Sequence, residues 1–436
     1  MGIVEVRVHG VSGTSPDQLL DDPHPRLITG DALSGFYRPR AGRQPDDRTD
    51  HEAYAWGGLT SGSPWRALWV LLAPFAMVNA AASMHRTRAR VARPLTRLLA
   101  LSLTATLVLS TYVLSADLFA WQCGSDTACI ERHSYTRFLG WEWLDSPGRR
   151  LVVALLLPIA VVCLLWALGR ATWQRAEAYV PEPTVMPRVV QTPFDHPQLW
   201  DGRARGIFLR HIHISGATAT LAALLSYALR ETTGSMGFEL VVAVVLLVVI
   251  VALAIPEVPA HVDHRRQIAS WVVLALSWLT LGRVLLFAWT EPTMHSPLPE
   301  QLPGTDRTVT YLFVAQLVAI LALLAFSRWP AAAVSFVALS LGAAFGAGLV
   351  IGVGVLLGDL GTRELRLPLG VSWAARVAAL LAAFVAFLVL VYAAVLTARR
   401  FGGRPPLPPL ERARLAARRT DRVPVYTAVV MAVLVP

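Results

Sequence analysis

Leu240–Ile255 reads LVVAVVLLVVIVALAI, sixteen apolar residues without a polar interruption. A helix that crosses a hydrocarbon layer of about 30 Å needs about 20 mostly apolar residues, because each adds about 1.5 Å. The run, extended to 237–255, meets that length. The same test predicts further segments at 65–84, 97–121, 150–169, 211–229, 268–289, 309–328, 331–357 and 373–397. The weakest is 211–229, which carries two histidines with serines and threonines. The chain has 436 residues, 55% hydrophobic and only 16% charged, a balance foreign to soluble globular domains. The fold class predicted is therefore all-α: a polytopic transmembrane bundle of nine or ten helices behind a small N-terminal α/β segment.

The ends of the chain divide as follows. Residues 1–64 form the α/β segment, 65–397 the bundle, 398–424 a basic cytoplasmic loop, and 425–436 the start of a possible tenth helix. The last twelve residues, VYTAVVMAVLVP, reach only about 18 Å as a helix, so they either open a span that continues further or lie on the membrane surface. The N-terminus lacks the basic start and continuous apolar core of a signal peptide.

All 39 basic residues are arginine, and the formal charge is +10. A nucleic-acid footprint needs that charge gathered on one face, whereas here it sits in short connections between apolar runs. The expected partners are the bilayer and anionic headgroups at the arginine-rich loops, not nucleic acid. If the N-terminus lies outside, 22 arginines fall in inner connections and eight in outer ones, the bias that retains basic loops in the cytosol. The expected location is the cell membrane, with an extracytoplasmic N-terminus. The 122–149 connection then occupies an oxidising space, where Cys123 and Cys129 are either a disulfide or two free thiols.

In the first residues, Val4, Val6 and Val8 alternate with Glu5, Arg7 and His9, the period of a half-buried strand. Ser15 and Pro16 mark the start of a short helix, and EAYAW at 52–56 reads as a second strand. A strand ending in His9-Gly10, followed by a strand ending in an aromatic residue and glycines, resembles the start of an α/β-hydrolase of the lipase or esterase type. The resemblance implies an oxyanion turn at His9, Gly10 and Val11. The chain has no Gly-x-Ser-x-Gly elbow: the nearest string, ALSLG around Ser340, lies in an apolar helix and lacks the first glycine. No catalytic residue is assigned. Residues 1–64 are then either a small structural cap or partner-binding segment, or one half of a hydrolase whose nucleophile lies beyond residue 436. The whole layout also resembles large multi-pass membrane proteins of actinobacteria, which implies membrane residence and no particular activity.

Four further groups stand out. Asp117, Glu239 and Arg283 all fall near outer helix ends, which predicts an intramembrane polar cluster; the alternative is an Arg283 that snorkels alone. His261, Asp263 and His264 read either as metal ligands or as solvated loop residues, and neither a metal nor a cofactor is expected. His211 and His213 fall on opposite sides of a helix. Gly342/Gly346, Gly348/Gly352 and Gly354/Gly358 have the spacing that lets helices approach closely, or that permits a broken transporter helix. Three function classes follow: a structural or scaffolding membrane protein, a membrane-embedded hydrolase, and a transporter.

Overall fold

The structure is a computed structural model and describes residues 3–9, 14–30, 35–40, 49–55, 72–83, 89–176, 203–256, 262–291, 301–326, 329–357, 365–377 and 380. The chain divides into two compact units. One holds residues 1–72 with 163–210 and 258–268; the other holds 73–162, 211–257 and 269–436.

The first unit contains a four-stranded sheet. Its strands are β1 (Ile3–His9), β2 (Arg26–Gly30), β3 (Gly35–Arg38) and β4 (Thr49–Ala55), with the short helix α1 (Pro16–Leu20) between the first two. The order is β1-β4-β3-β2. β1 runs parallel to β4, while β3 is antiparallel to both β4 and β2. Helix α1 starts at Pro16 because proline fixes φ where no amide hydrogen is needed; Ser15 makes no side-chain capping bond. Arg7 clamps this helix to β1, its Nη1 donating to Leu19 O at 2.7 Å. Phe36 and Ala53 are fully buried, and beside them Arg38 Nε meets Glu52 Oε1 at 2.5 Å. The valine face expected to be half-buried is more open: Val6 is 39% and Val8 59% exposed. The reason is position, since β1 is an edge strand that pairs with β4 alone among the described residues.

The second unit is helical. Its elements are α2 (Ala73–Ser83), α3 (Ala89–Tyr112) running on into a π-helical stretch (Val113–Gln122), and the short α4 (Thr127–Arg132). Then come α5 (Pro147–Ala176), α6 (Arg203–Thr233), α7 (Gly237–Ala254), α8 (His264–Thr290), α9 (Thr305–Phe326) and α10 (Trp329–Leu357). Two of these long helices, α6 and α8, begin in the first unit's residues, and α5 ends in them. Among the described residues seven helices are long and apolar enough to cross a membrane. The chain is a multi-pass, membrane-embedded helical protein. Of the nine expected segments, the first appears as α2, an 11-residue helix. The last lies largely outside the described residues, as do 398–424 and 425–436.

Small residues set the close contacts. A Cβ on Gly342 would come 2.7 Å from Leu103 Cδ2, and one on Gly346 would collide with Ser110, so α10 meets α3 along this pair. Gly348 and Gly352 have nothing within 4 Å of such a Cβ among the described residues. Helix α7 is held at its C-terminal end by Arg97, whose Nη1 donates to Ile255 O at 2.9 Å and Pro256 O at 2.5 Å. A cation on the last carbonyls also suits the helix dipole.

Candidate functional site

Polar chemistry concentrates at one end of the bundle, where α3, α6, α8 and α10 finish and α5, α7, α9 begin; we call this the cap end. Asp117, in the middle of the π-helical stretch, is fully buried. Its Oδ1 accepts from Gln122 Nε2 at 3.0 Å and from the backbone N–H of Leu302 at 2.8 Å. Gln122 in turn donates to Arg366 O at 3.0 Å and accepts from Arg366 N–H at 2.8 Å. One carboxylate and one amide thus tie together three stretches of chain that are far apart in sequence. The π-helix makes this possible. At about 100° per residue, positions 117 and 122 would lie about 140° apart on an α-helix, whereas i→i+5 winding brings them within one turn.

Around this hub several polar atoms are buried without a hydrogen-bond partner: Asp117 Oδ2, Tyr112 Oη, Trp121 Nε1 and Thr305 Oγ1. Beside it lies a concavity of about 470 Å³, lined among others by Tyr227, Glu231, Gln301, Asp306, Arg307 and Arg366. Asp306 is in the first turn of α9, and its Oδ1 accepts from Leu369 N–H at 2.6 Å. Ionisable groups inside a membrane are costly and mark a site by default. Here the two fixed bonds of Asp117 both go to groups that hold the fold.

The second polar group of the cap end is Arg150, 8% exposed. Its Nε donates to Leu144 O at 2.8 Å and to Leu139 O at 3.1 Å, its Nη1 donates to Gly124 O, and its Nη2 lies 3.6 Å from Asp145. A guanidinium carries five donors in a fixed fork, so it gathers carbonyls from a stretch that has no regular ladder. Cys123 and Cys129 in the same stretch are joined by a disulfide, with Cα atoms 5.3 Å apart. Around it runs an aromatic chain: Phe138, Trp141, Trp143 and Trp289 follow one another at ring separations of 6.1, 6.1 and 6.2 Å, and Arg149 sits 5.7 Å over Trp289. Tryptophan and tyrosine collect where hydrocarbon meets water, which marks this level as a membrane interface.

Of the cluster expected from Asp117, Glu239 and Arg283, two members are in contact. Arg283 Nη2 donates to Glu239 Oε1 at 2.7 Å, joining α8 to α7. The hydrogen bonds of Asp117 go to Gln122 and Leu302. His211 and His213 turn to different partners, Ser270 Oγ at 3.1 Å and Thr104 Oγ1 at 2.7 Å. Asp263 accepts from Arg265 N–H at 2.6 Å, a helix-start contact for α8, while His261 lies outside the described residues. Among the described residues no three potential ligand side chains gather around a metal position. His9 ends β1 opposite Ala55 of β4; Gly10 and Val11 lie outside the described residues.

No protein-family model, curated protein or solved structure matches this chain. Residue chemistry alone therefore carries the functional reading. The sequence reading missed the Asp117–Gln122 pair because it assumed α-helical winding. It counted Arg150 only as a loop charge; the signal available was an arginine within the apolar boundary of a predicted helix.

Proposed function

We propose that this chain is a structural, scaffold-forming protein of the cell membrane, oriented with the cap end on the extracytoplasmic side. The observation that carries the reading is the use made of the buried polar groups at the cap. Asp117 and Gln122 staple three chain segments, and Arg150 closes an irregular stretch that a disulfide also holds. Groups committed to backbone in this way resist the alternation between two states that carriers require. The excess of arginine in the opposite connections supports the orientation.

Two measurements test it. Single cysteines at Ser235 and at Arg265, in a chain lacking Cys163, are treated in intact cells with a membrane-impermeant maleimide. Labelling at 235 alone agrees with the orientation, and labelling at 265 alone reverses it. In proteoliposomes, hydrogen exchange over 113–150 is expected to be slow and unimodal. Two interconverting populations there would replace the scaffold with a transporter.

A second reading rests on the sheet. The carboxyl ends of the parallel strands β1 and β4 lie side by side at His9 and Ala55, the kind of edge at which α/β sites form. This supports the hydrolase resemblance, with the nucleophile supplied by a further segment. A fluorophosphonate probe applied to native membranes tests it: a labelled serine in a polypeptide containing these residues supports the reading, and no labelling removes it.

A further inference from the structure

The cap end also contains a largely apolar cavity of about 380 Å³, walled by Leu114, Phe119, Ala154, Leu157, Val353 and Leu356 with neighbouring residues. Its walls come from the π-helical stretch, α5 and α10. These walls lie about 2 to 15 Å inside the ends of their helices, within the depth of one hydrocarbon leaflet, about 15 Å. At the far end Arg150 and Tyr135 close it. Both already serve the protein: Arg150 donates to Gly124, Leu139 and Leu144, and Tyr135 donates to Leu356 O.

The rim is the bilayer-facing surface itself. Leu157 and Leu356 both line the cavity and are 41% and 65% exposed, and Leu156 and Val355 beside them are 61% and 63% exposed. The cavity is thus continuous with an exposed apolar surface of α5 and α10. An apolar cavity stays dry and takes an apolar guest, and this volume falls within the range of small-molecule sites. We propose that this cavity is a binding site for one acyl chain of a membrane phospholipid, whose headgroup lies at the level of the Trp141, Trp143 and Trp289 belt.

The test uses the full chain in nanodiscs whose phosphatidylcholine carries a photoactivatable diazirine in one acyl chain, with cross-linked peptides quantified by mass spectrometry. Labelling of 114–120 and 153–157 is expected to exceed that of the lipid-facing stretch 241–249 of α7. Ala154→Trp, which fills the cavity, should lower labelling of 114–120 about tenfold, the equivalent of about 1.4 kcal/mol, and leave α7 labelling unchanged. Leu157→Trp at the mouth serves as the second variant should the first fail to elute as a monodisperse species. Three results overturn the proposal: labelling of 114–120 no greater than that of α7, labelling unaffected by either folded variant, or cross-links at these peptides to a second copy of the chain in place of lipid.

Discussion

Helices α6 and α7 invert the rule that governs proteins in water. The best apolar window of α7 has a mean hydropathy of 3.0, yet only 28% of it is buried in the protein; that of α6 has a mean hydropathy of 1.4 and is 72% buried. Along α7, Val241, Val245 and Val248 are all more than half exposed. Along α6, Ser215, Thr218 and Ser226 are fully buried together with Leu221 and Leu225. Lipid tails are as apolar as leucine, so the bilayer gives no reason to hide valines. What it cannot supply is a hydrogen-bond partner or a close steric fit, and the residues that need these turn inwards. The most greasy helix is therefore an outer wall, and the least greasy is the centre.

The sharpest way to break that contrast is through charge. Arg150→Met should destabilise the protein by about 3 kcal/mol or more, because it strands carbonyls that are buried. Arg230→Met, at an exposed arginine of α6 at the same end, should cost much less. Reversible unfolding in mixed micelles reads both, and equal losses would show that burial does not govern the cost. Shape comes next. Gly346→Leu should cost about 1–3 kcal/mol by overpacking α10 against α3, whereas Gly352→Leu should be close to neutral. A reversed order would mean that Gly352 faces a protein surface.

Leu225→Ala in α6 should lose about 1–3 kcal/mol of packing, while Val248→Ala in α7 should stay within about 0.5 kcal/mol, as lipid refills the space. A small effect is also expected at Ser277, whose hydroxyl donates to Val273 O within its own helix at 2.8 Å. Ser277→Ala should change stability by less than about 1 kcal/mol, although the side chain is fully buried. A larger loss would reveal a partner across a helix interface.

Most of the helical architecture was legible because one signal, apolar length, decides it. Predicted segments such as 237–255 and 331–357 correspond to Gly237–Ala254 and Trp329–Leu357. Which face of each helix turned inward was not legible, since hydropathy ranks α7 as the best core candidate when it is the wall. In the N-terminal segment the alternation of β1 was readable. The β2–β3 hairpin was not: Leu27-Ile28-Thr29 and Phe36-Tyr37 are too short to display a period of two, and Pro23 and Pro25 stand just ahead of them. The hub at Asp117 escaped because its partners Leu302 and Arg366 contribute backbone groups, which leave no mark on residue type.

The staple between Gln122 and Arg366 also sets a schedule for synthesis. The two residues are 244 positions apart, and ribosomes add about 5–20 residues each second, so roughly 12 to 50 s pass between the emergence of one and the other. Throughout that interval the nascent π-helical stretch holds a carboxylate and an amide with part of their final bonding still to come. Until Arg366 is made, those groups need water or a substitute partner in its place.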